Sequence, residues 1–454
     1  MTGLIYVVGI GLDGTRGLSP VSQAVIDHAT VLVGSDRHLG YFPNHSAQRI
    51  RLGNLQEAIA SIQAILSPAD LSSSSSLSLP SSSSANITIL VSGDPLFFGL
   101  GRLLLEAFPA EQLTFYPHLS SVQLAFNRIK LPWHDASIVS LHGRTVDELI
   151  PLLKKGTHKI ALLTDGTNTP MAIARLIHAL ALPIHYQIWV CENLGSDQER
   201  IQAFALKELA DLSANQAFAP IFAPLNVVIL VRSLHQEALA PDELPILGLS
   251  DQSFASFSDR PGLMTKREVR TLILGELQLK PNQTIWDIGA GTGSVSIEMA
   301  RLNPSATIYA IEKTAVGIQL IQTNTQRFQV TNVMPIHGIA PDTIANLPRP
   351  DRIFIGGSGG HLELILDRCG NALSRGGKII IAATTFEHQA YVMQWLEHQQ
   401  QSTQGLNPDY LTHQPIDDWE HHVLSINLSR SIPIGTLTRS QPLNPVTILV
   451  LAKK

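Results

Sequence analysis

A glycine-rich turn followed by a carboxylate is the clearest chemical signal in this sequence. Asp287 precedes three glycines that recur at every second position, 289, 291 and 293, and Glu312 closes the next apolar run. Glycines let the backbone approach a ligand closely, and the free N–H groups of the helix expected from residue 294 favour anionic or polar groups. A carboxylate at the tip of the neighbouring strand can accept hydrogen bonds from ribose hydroxyls. The pattern therefore predicts a nucleoside-bearing ligand above a doubly wound sheet.

Two ligand classes use such a turn. Enzymes that bind nicotinamide dinucleotides and enzymes that bind AdoMet share the arrangement of glycines followed by an acid. The glycines alone therefore do not distinguish the two ligands. With an acid opening the turn, the order Asp-x-Gly-x-Gly-x-Gly resembles the S-adenosyl-L-methionine (AdoMet) motif of Rossmann-like methyltransferases. We therefore favour AdoMet as the cofactor and keep a dinucleotide as the alternative.

Length and composition narrow the class of protein. A chain of 454 residues predicts two or three domains. The net charge of −5, with no dense run of Lys or Arg, argues against nucleic acid as a partner. The only two cysteines, Cys191 and Cys369, exclude a disulfide framework, and no metal site is predicted. No apolar segment reaches membrane-spanning length, which predicts a cytoplasmic protein without a membrane partner.

The first half alternates buried β-branched runs with helical stretches, which predicts an α/β fold. Apolar runs at residues 4–10, 31–34 and 87–91 each end in a glycine or polar loop, where ligand-binding loops lie in parallel sheets. Residues 67–84 are mostly serine and cannot bury enough apolar area to offset their ordering entropy. We therefore expect a disordered loop there.

Taken together, the loops of the first half resemble the tetrapyrrole methylase family, in particular its members that methylate precorrins at carbon 5. The matches cover nearly all of residues 1–233 and lie at 7–11, 92–99, 141–144, 163–166, 191–195 and 224–227. In that family two α/β lobes hold AdoMet in the cleft between them. The resemblance implies a cofactor site formed by Gly9, Gly11, Ser92, Gly93, Asp94, Ser120, Ser121, Asp165, Leu225, Asn226 and Val227.

The second half begins after residues 235–262, which carry prolines, glycines and serines without sustained periodicity and are predicted to be a linker. This divides the chain into domains at 1–234 and 263–454. Thr265 and Glu268 have the spacing of a capping box at the start of a helix. Strand–helix repeats follow, and residues 433–451 are predicted to form a closing hairpin.

This half resembles the Rossmann-like precorrin-6 carbon-15 methyltransferases that also decarboxylate their substrate. The matches lie at residues 264–270, 286–298, 309–313, 354–360 and 444–447. The resemblance implies that AdoMet is held by Thr265, Gly289, Ala290, Gly291, Thr292, Gly293, Glu312 and Ala340, with Asp287 as the acid that orients the turn or the methionine amine.

Both halves in this order resemble the fused, bifunctional C5,15-methyltransferases of cobalamin biosynthesis. The resemblance implies methylation of a tetrapyrrole at carbons 5 and 15, loss of a ring acetate carboxyl group, two AdoMet sites and a homo-oligomer. Whether the macrocycle carries cobalt, and in which order the steps occur, stay open.

The substrate implied by the resemblance carries many carboxylates, so basic residues near each cleft are candidates for orienting it. They are Arg37, His38, Lys266, Arg267 and Arg270. The glycine-rich loop at residues 356–360 leaves room for a bulky planar substrate. A proton-handling role for His337 is weighed, but a lone histidine is more often structural, and no catalytic residue is assigned.

Two other functions are compatible with an AdoMet motif. One is an RNA or protein methyltransferase with an accessory domain, which the acidic balance and the glycine-rich loop disfavour. The other is a non-catalytic AdoMet sensor, which two complete cofactor sites disfavour.

Overall fold

The computed structural model describes residues 4–66, 86–212, 222–233, 243–404, 419–434 and 437–454. These residues form three large sheets with flanking helices and one small two-stranded sheet, which confirms the predicted α/β class. The serine-rich loop predicted at 67–84 lies outside the described residues. In the parts of the chain that are described, no helix combines the length and the apolar character needed to cross a membrane.

The first sheet contains five parallel strands. Its elements are β1 (Ile5–Ile10), α1 (Pro20–Asp27), β2 (Val31–Gly34), α2 (Asp36–Gly40), β3 (Gln48–Arg51), α3 (Leu55–Leu66), β4 (Ile87–Ser92), α4 (Gly101–Ala107) and β5 (Leu113–Tyr116). The strand order is β3–β2–β4–β1–β5. Its central strands are buried on both faces, as expected when helices cover a parallel sheet. The carboxyl ends of β1 and β4 therefore lie side by side at one edge.

The second sheet is mixed. Its elements are α5 (Ser121–Ile129), β6 (Ser137–Ser140), α6 (Leu149–Lys155), β7 (Lys159–Leu163), α7 (Pro170–Leu180), β8 (His185–Glu192), β9 (Arg200–Ala205), α8 (Leu206–Leu212) and β10 (Asn226–Ser233). The order is β6–β7–β10–β8–β9, in which only β6 and β7 are parallel. Apolar clusters pack on both faces, one beneath α6 and α7 and the other beneath α5.

The third sheet has seven strands. Its half of the chain contains α9 (Arg267–Leu277), β11 (Thr284–Ile288), α10 (Ser294–Leu302), β12 (Thr307–Glu312), α11 (Ala315–Arg327), β13 (Val333–His337), α12 (Ala340–Thr343), β14 (Arg352–Ile355), α13 (Leu362–Ala372), β15 (Lys378–Ala383), α14 (Phe386–Gln404), β16 (Trp419–Ile426), β17 (Ser429–Ile434), β18 (Leu437–Pro442) and β19 (Val446–Lys453). The sheet order is β13–β12–β11–β14–β15–β19–β16, parallel up to β15. The strand order reverses between β11 and β14, and ligands of doubly wound sheets bind outside the strand ends at such a point.

The closing hairpin predicted over residues 433–451 is wrong in its extent. Strands β17 and β18 pair with each other as a separate sheet, residues 429–434 with 437–442. Strand β19 instead enters the third sheet, antiparallel to both β15 and β16. Its continuous apolar run at residues 448–451 is buried, as a central strand requires, whereas a solvent-facing hairpin would alternate apolar and polar residues.

The linker predicted over residues 235–262 does not fit its described part, 243–262. Leu249 and Phe254 are fully buried and pack with Ile297 and Phe328 of the second half. These apolar residues are scattered among prolines, glycines and serines, so no periodic pattern in the sequence predicts their burial. This part of the segment is therefore built into the second domain.

The capping box predicted for α9 is also wrong. The helix begins at Arg267, its N-cap is Lys266, and no side chain of the cap closes its first turn. The Arg267 backbone N–H instead donates to the carboxylate of Asp251 at 3.0 Å, from the segment expected to be a linker. Glu268 is consequently free of a capping role and pairs with Arg430 at 2.7 Å.

Candidate cofactor sites

Two glycine loops meet at the switch point of the third sheet. Gly289 follows β11 with φ +72°, and a Cβ placed on it would lie 2.4 Å from the carbonyl oxygen of Gly357, which follows β14. No side chain can occupy that space, so glycine at 289 is required for the two loops to touch.

Gly291 has a different role from Gly289. It also adopts a positive φ, +58°, but a Cβ there would meet no atom closer than the Gly289 carbonyl oxygen at 4.0 Å. The missing side chain therefore leaves open space beside the turn. This is the arrangement expected where a ligand, and not another loop, approaches the backbone.

Glu312 lies at the end of β12, as the sequence predicted, and its side chain is bound to both neighbouring loops. Oε2 accepts the Gly291 backbone N–H at 3.0 Å, and Oε1 accepts the N–H and the hydroxyl of Thr314 at 2.9 and 2.7 Å. A carboxylate offers about four acceptor positions, so capacity remains for ligand hydroxyls. The fixed, nearly buried carboxylate is suited to hold a ribose.

A cavity of about 690 Å³ opens at this edge of the sheet, within the size range of small-molecule sites. Most of the residues predicted for the second cofactor site line it: Thr265, Gly289, Ala290, Gly291, Thr292, Glu312 and Ala340. Gly356, Gly357, Ser358 and Gly359 of the β14 loop line it too, which leaves the room predicted for a planar substrate. The open cradle at Gly291 and the acceptor Glu312 fit the nucleoside of AdoMet.

Two predicted residues lie away from this cavity. Asp287 is fully buried, accepts the Ser296 hydroxyl at 2.5 Å through Oδ2, and has no partner for Oδ1 among the described residues. Burial raises the pKa of this carboxyl group to about 7. The expected contact with the methionine amine is therefore not supported. Gly293 is the N-cap of α10, and a Cβ there would lie 3.1 Å from Ile321, so this glycine serves helix packing.

The basic residues predicted near the second site divide into different classes. Arg270 is fully buried, with Nε 2.8 Å from Glu298 and Nη1 2.7 Å from Asp251, so its substrate-binding role is wrong. Arg267 pairs with Glu268 at 3.3 Å, outside the cavity. Lys266 does line the cavity, and burial lowers the pKa of its ammonium group.

His337 does not line the cavity. Its side chain is exposed at the end of β13, and Nε2 lies 3.2 Å from the Lys313 carbonyl oxygen. Part of the cavity wall was missed by sequence reasoning because it comes from distant elements: Lys154, Leu180, Leu182, Phe257, Arg260, Arg430 and Ile432. No local motif marks these residues.

In the first domain, three predicted residues pack together where β1 and β4 end. A Cβ on Gly9 would lie 1.9 Å from the Gly93 carbonyl oxygen, and a Cβ on Gly93 would lie 3.3 Å from Cα of Ser120. Ser120 caps α5, its hydroxyl accepting the Gln123 N–H at 3.2 Å in the capping box of that helix. The glycines therefore allow three loops to converge at the carboxyl edge of the first sheet.

The loop after β4 also contacts the basic pair predicted near this cleft. Arg37 donates to the Ser92 hydroxyl at 2.7 Å, and Nε2 of His38 lies 3.2 Å from the same oxygen. Burial, together with the neighbouring Arg37 charge, lowers the pKa of His38 to about 4. The imidazole is therefore neutral near pH 7, and Arg37 carries the positive charge at this edge.

The other predicted residues of the first domain organise their own loops. Asp94 accepts the Leu96 N–H at 2.9 Å, and a Cβ on Gly11 would lie 2.5 Å from Asp13, while Ser121 is exposed at the start of α5.

In the second lobe, Asp165 accepts backbone N–H groups of Gly143, Thr167 and Asn168 at 2.6 to 2.8 Å. Burial opposes ionisation, but these hydrogen bonds prevail and hold its pKa below the usual range. Asn226 accepts the hydroxyl of Thr164, the residue preceding Asp165, at 2.7 Å.

The two residues that flank Asn226 differ in exposure. Leu225 is exposed, whereas the side chain of Val227 is buried in β10. The side chain of Val227 is therefore not available to a ligand, and its strand is paired on both sides, with Leu163 and Cys191 opposite it.

Two family profiles match the chain. Residues 4–210 match the Tetrapyrrole (Corrin/Porphyrin) Methylases, and residues 256–407 match the Precorrin methyltransferase domain.

Individual relatives cover either most of the chain or about half of it. The precorrin-6Y C(5,15)-methyltransferase [decarboxylating] of Mycobacterium tuberculosis is 31% identical over 396 residues, 85% of this chain and 89% of that protein. The cobalt-precorrin-6B C(15)-methyltransferase (decarboxylating) of Salmonella typhimurium is 34% identical over 206 residues, 45% of this chain and 96% of its own length. The cobalt-precorrin-7 C(5)-methyltransferase of the same organism is 33% identical over 199 residues, 44% of this chain and 89% of its own length.

Proposed function

This chain belongs to the precorrin-6Y C(5,15)-methyltransferase (decarboxylating) family, and we propose that its two domains divide the family's chemistry between two AdoMet sites. The chain is an AdoMet-dependent methyltransferase of cobalamin biosynthesis that acts on a precorrin. The relatives of about half its length carry single activities, at carbon 15 with decarboxylation or at carbon 5. We assign carbon 5 to the first domain and carbon 15 to the second.

The observation that carries the assignment of the second domain is the cavity beside Gly291 and Glu312. Glu312 accepts hydrogen bonds from the ribose, and the open side of Gly291 admits the nucleoside against the backbone. When bound, AdoMet supplies a methyl group on a positively charged sulfur. The protein's part in such a displacement is to position the attacking carbon, which can supply much of the rate.

The loss of carbon dioxide makes a second demand on this cavity. When the carbon–carboxylate bond breaks, carbon dioxide leaves and the conjugated macrocycle accepts the released electron pair. A proton from solvent then converts the remaining CH2 group to a methyl group. The protein therefore need not supply an electron sink. Its part is to take the acetate carboxylate out of water, where the charged group is less stabilised. Apolar side chains of the wall, Phe257, Leu263, Met264, Ile426 and Leu428, provide that surface.

In the first domain, AdoMet is held by the converging loops at Gly9, Gly93 and Ser120 together with the ordered loops at Asp165 and Asn226. The glycine packing at 9 and 93 supports this assignment, because it brings backbone groups to the carboxyl edge that side chains would otherwise cover. Arg37 is placed beside Ser92 to attract a substrate carboxylate.

Incubation of the purified chain with AdoMet and a precorrin-6 type substrate tests this function directly. The product should gain two methyl groups and lose one carboxyl group as carbon dioxide, detected by mass spectrometry. Transfer of radiolabelled methyl groups to tRNA or protein, with no change in the precorrin, would instead favour the alternative methyltransferase. AdoMet binding without any transfer would favour the sensor.

The number of cofactor sites is tested separately. Titration calorimetry should give two AdoMet molecules per active chain, and one in the Gly291→Leu variant, because a side chain at 291 enters the cofactor's space. A stoichiometry of one in the active wild-type chain would contradict two sites. A homo-oligomer and a cytoplasmic location stay predictions, which light scattering and cell fractionation test.

A further inference from the structure

The cavity of the second domain has a wall that the first domain provides. Lys154 in the last turn of α6, Leu180 at the end of α7 and Leu182 just beyond it line the same cavity as Gly291 and Glu312. The second domain therefore does not enclose the cavity alone.

Contacts on two segments hold the first domain against this cavity. Ile432 of the β17–β18 hairpin is fully buried in the apolar cluster beneath α6 and α7 of the first domain. Beside it, Arg430 donates to the Leu180 carbonyl oxygen at 3.3 Å. On the other segment, the Ser256 hydroxyl donates to the Pro183 carbonyl oxygen at 3.0 Å. A buried apolar anchor with flanking hydrogen bonds fixes the shared wall more firmly than exposed ion pairs alone would.

The cavity lining is strongly cationic. Five lysine and arginine residues line it, against one carboxylate, that of Glu312: Lys154, Arg260, Lys266, Lys313 and Arg430. The two arginines have carboxylate partners, Asp259 at 3.5 Å and Glu268 at 2.7 Å.

The three lysines differ from the arginines. Within the described residues, no carboxylate lies within ion-pair distance of Lys154, Lys266 or Lys313. The Lys266 ammonium donates to the Gly262 carbonyl oxygen at 3.0 Å, which leaves its charge uncompensated by a carboxylate. Lysines that line a cavity without a carboxylate partner favour anionic ligands there.

We propose that Lys154 binds a carboxylate of the tetrapyrrole in the cavity of the second domain, so that the first domain completes the substrate site for the carbon-15 reaction. This inference rests on the proposed function, which makes the ligand a macrocycle with carboxylates around its rim. A wide, rigid ligand of that kind needs cations at separated points of the wall. Lys154 supplies one from the first domain, while Lys266 and Lys313 of the second domain supply the others.

Lys155 gives a matched control for Lys154. It is the next residue in α6 and equally exposed, but it does not line the cavity. Replacing either lysine leaves the buried core untouched, so both variants should fold with unchanged thermal unfolding. A difference in activity between the two variants is therefore due to the position of Lys154 at the cavity and not to the loss of a surface charge.

The experiment measures carbon dioxide release by the full chain as a function of precorrin concentration. Lys154→Ala should raise KM by up to about five-fold, the range of one exposed charge pair, with kcat nearly unchanged. Lys154→Arg should restore the wild-type KM, and Lys155→Ala should match the wild type. High salt should shrink the Lys154→Ala effect, because exposed charges are screened. AdoMet affinity and carbon-5 methylation should stay at wild-type values in all three variants.

Two failures are distinguishable. If the wild-type chain decarboxylates but Lys154→Ala has the same KM as Lys155→Ala, the shared substrate site is refuted and the proposed function stands. If the wild-type chain neither methylates nor decarboxylates the precorrin, the proposed function fails and this inference fails with it.

Discussion

The Glu312 carboxylate accepts the backbone N–H of Gly291 at 3.0 Å, which joins the end of β12 to the glycine turn after β11. The same side chain accepts both the N–H and the hydroxyl of Thr314, at the start of α11. One acid therefore fixes two cofactor-site loops and keeps acceptor positions for a ribose. Because of this dual role, truncation of Glu312 should affect both the loop structure and the cofactor affinity of the second site.

Glu312→Ala should weaken AdoMet binding at the second site by roughly 1–3 kcal/mol, because it leaves buried hydrogen-bond partners unpaired. That corresponds to about five- to 150-fold in affinity. Titration calorimetry measures it, with Glu363→Ala as the control, since Glu363 is exposed on α13 and does not line the cavity. Equal affinities in the two variants would mean that Glu312 does not hold the ribose.

Arg270→Met should destabilise the chain by about 3–5 kcal/mol, because it removes the cation between two buried carboxylates. Glu298 would lose its cation at 2.8 Å, and Asp251 would lose the contact at 2.7 Å while keeping Arg430 at 3.2 Å. Urea denaturation followed by fluorescence measures the change. Arg267→Met, on the exposed side of the same helix, should stay within about 0.5 kcal/mol of wild type. A loss no larger than the control's would show that the buried ion cluster contributes no net stability.

Titration of Asp287 should lower the free energy of unfolding as the pH rises from about 4 to about 7. Its native pKa, about 7, is raised from 3.8, so the folded chain keeps a proton that the unfolded chain releases in this window. Because the native state binds more protons, the free energy of unfolding decreases with pH there.

The comparison of denaturation at pH 5 and pH 8 isolates this effect. Wild type should lose roughly 1–4 kcal/mol more than Asp287→Asn between the two values. Ser296→Ala, which keeps the carboxyl group and removes its hydrogen bond, should retain the pH dependence. An identical pH dependence in wild type and Asp287→Asn would contradict the raised pKa.

The sequence correctly predicted those strands and loops that are specified by a few neighbouring residues. The strands that end at Ile288 and Glu312 are buried apolar runs closed by glycine or an acid, so burial and loop chemistry coincide in a few residues. The prediction of a linker failed for its described part, residues 243–262, because the signal there is not local. Leu249 and Phe254 are isolated apolar residues whose burial depends on Ile297 and Phe328, which lie dozens of positions away.

The same distinction applies to the candidate sites. The glycine turn and Glu312 could be found because one loop and one strand end contain their chemistry. The sequence could not show whether Arg270 is buried or solvated, because its two carboxylate partners are distant in sequence and no local pattern marks them. Lys154 could not be found at all, because the packing of one domain against the other, through the hairpin and Ser256, brings it to the cavity.

The two domains should carry separable reactions, and paired variants can silence each site alone. Gly291→Leu fills space that the wild-type backbone leaves open, and with Glu312→Ala it removes both the room and the ribose acceptor of the second site. In the first domain, Gly93→Leu inserts a side chain where β4 meets Ser120, and Asp94→Ala removes the acceptor for the Leu96 N–H. Circular dichroism should confirm that both double variants stay folded.

Each double variant should leave one product pattern. With the second site silenced, the precorrin should gain at most one methyl group and keep its carboxyl group. With the first site silenced, the chain should still release carbon dioxide and methylate once, because the cofactor cradle at residues 289–292 is untouched. Mass spectrometry of the products, with time courses of carbon dioxide release, measures both patterns. If the variant altered at 291 and 312 decarboxylates at the wild-type rate, the reaction does not depend on this cavity and the division of labour between the domains is wrong.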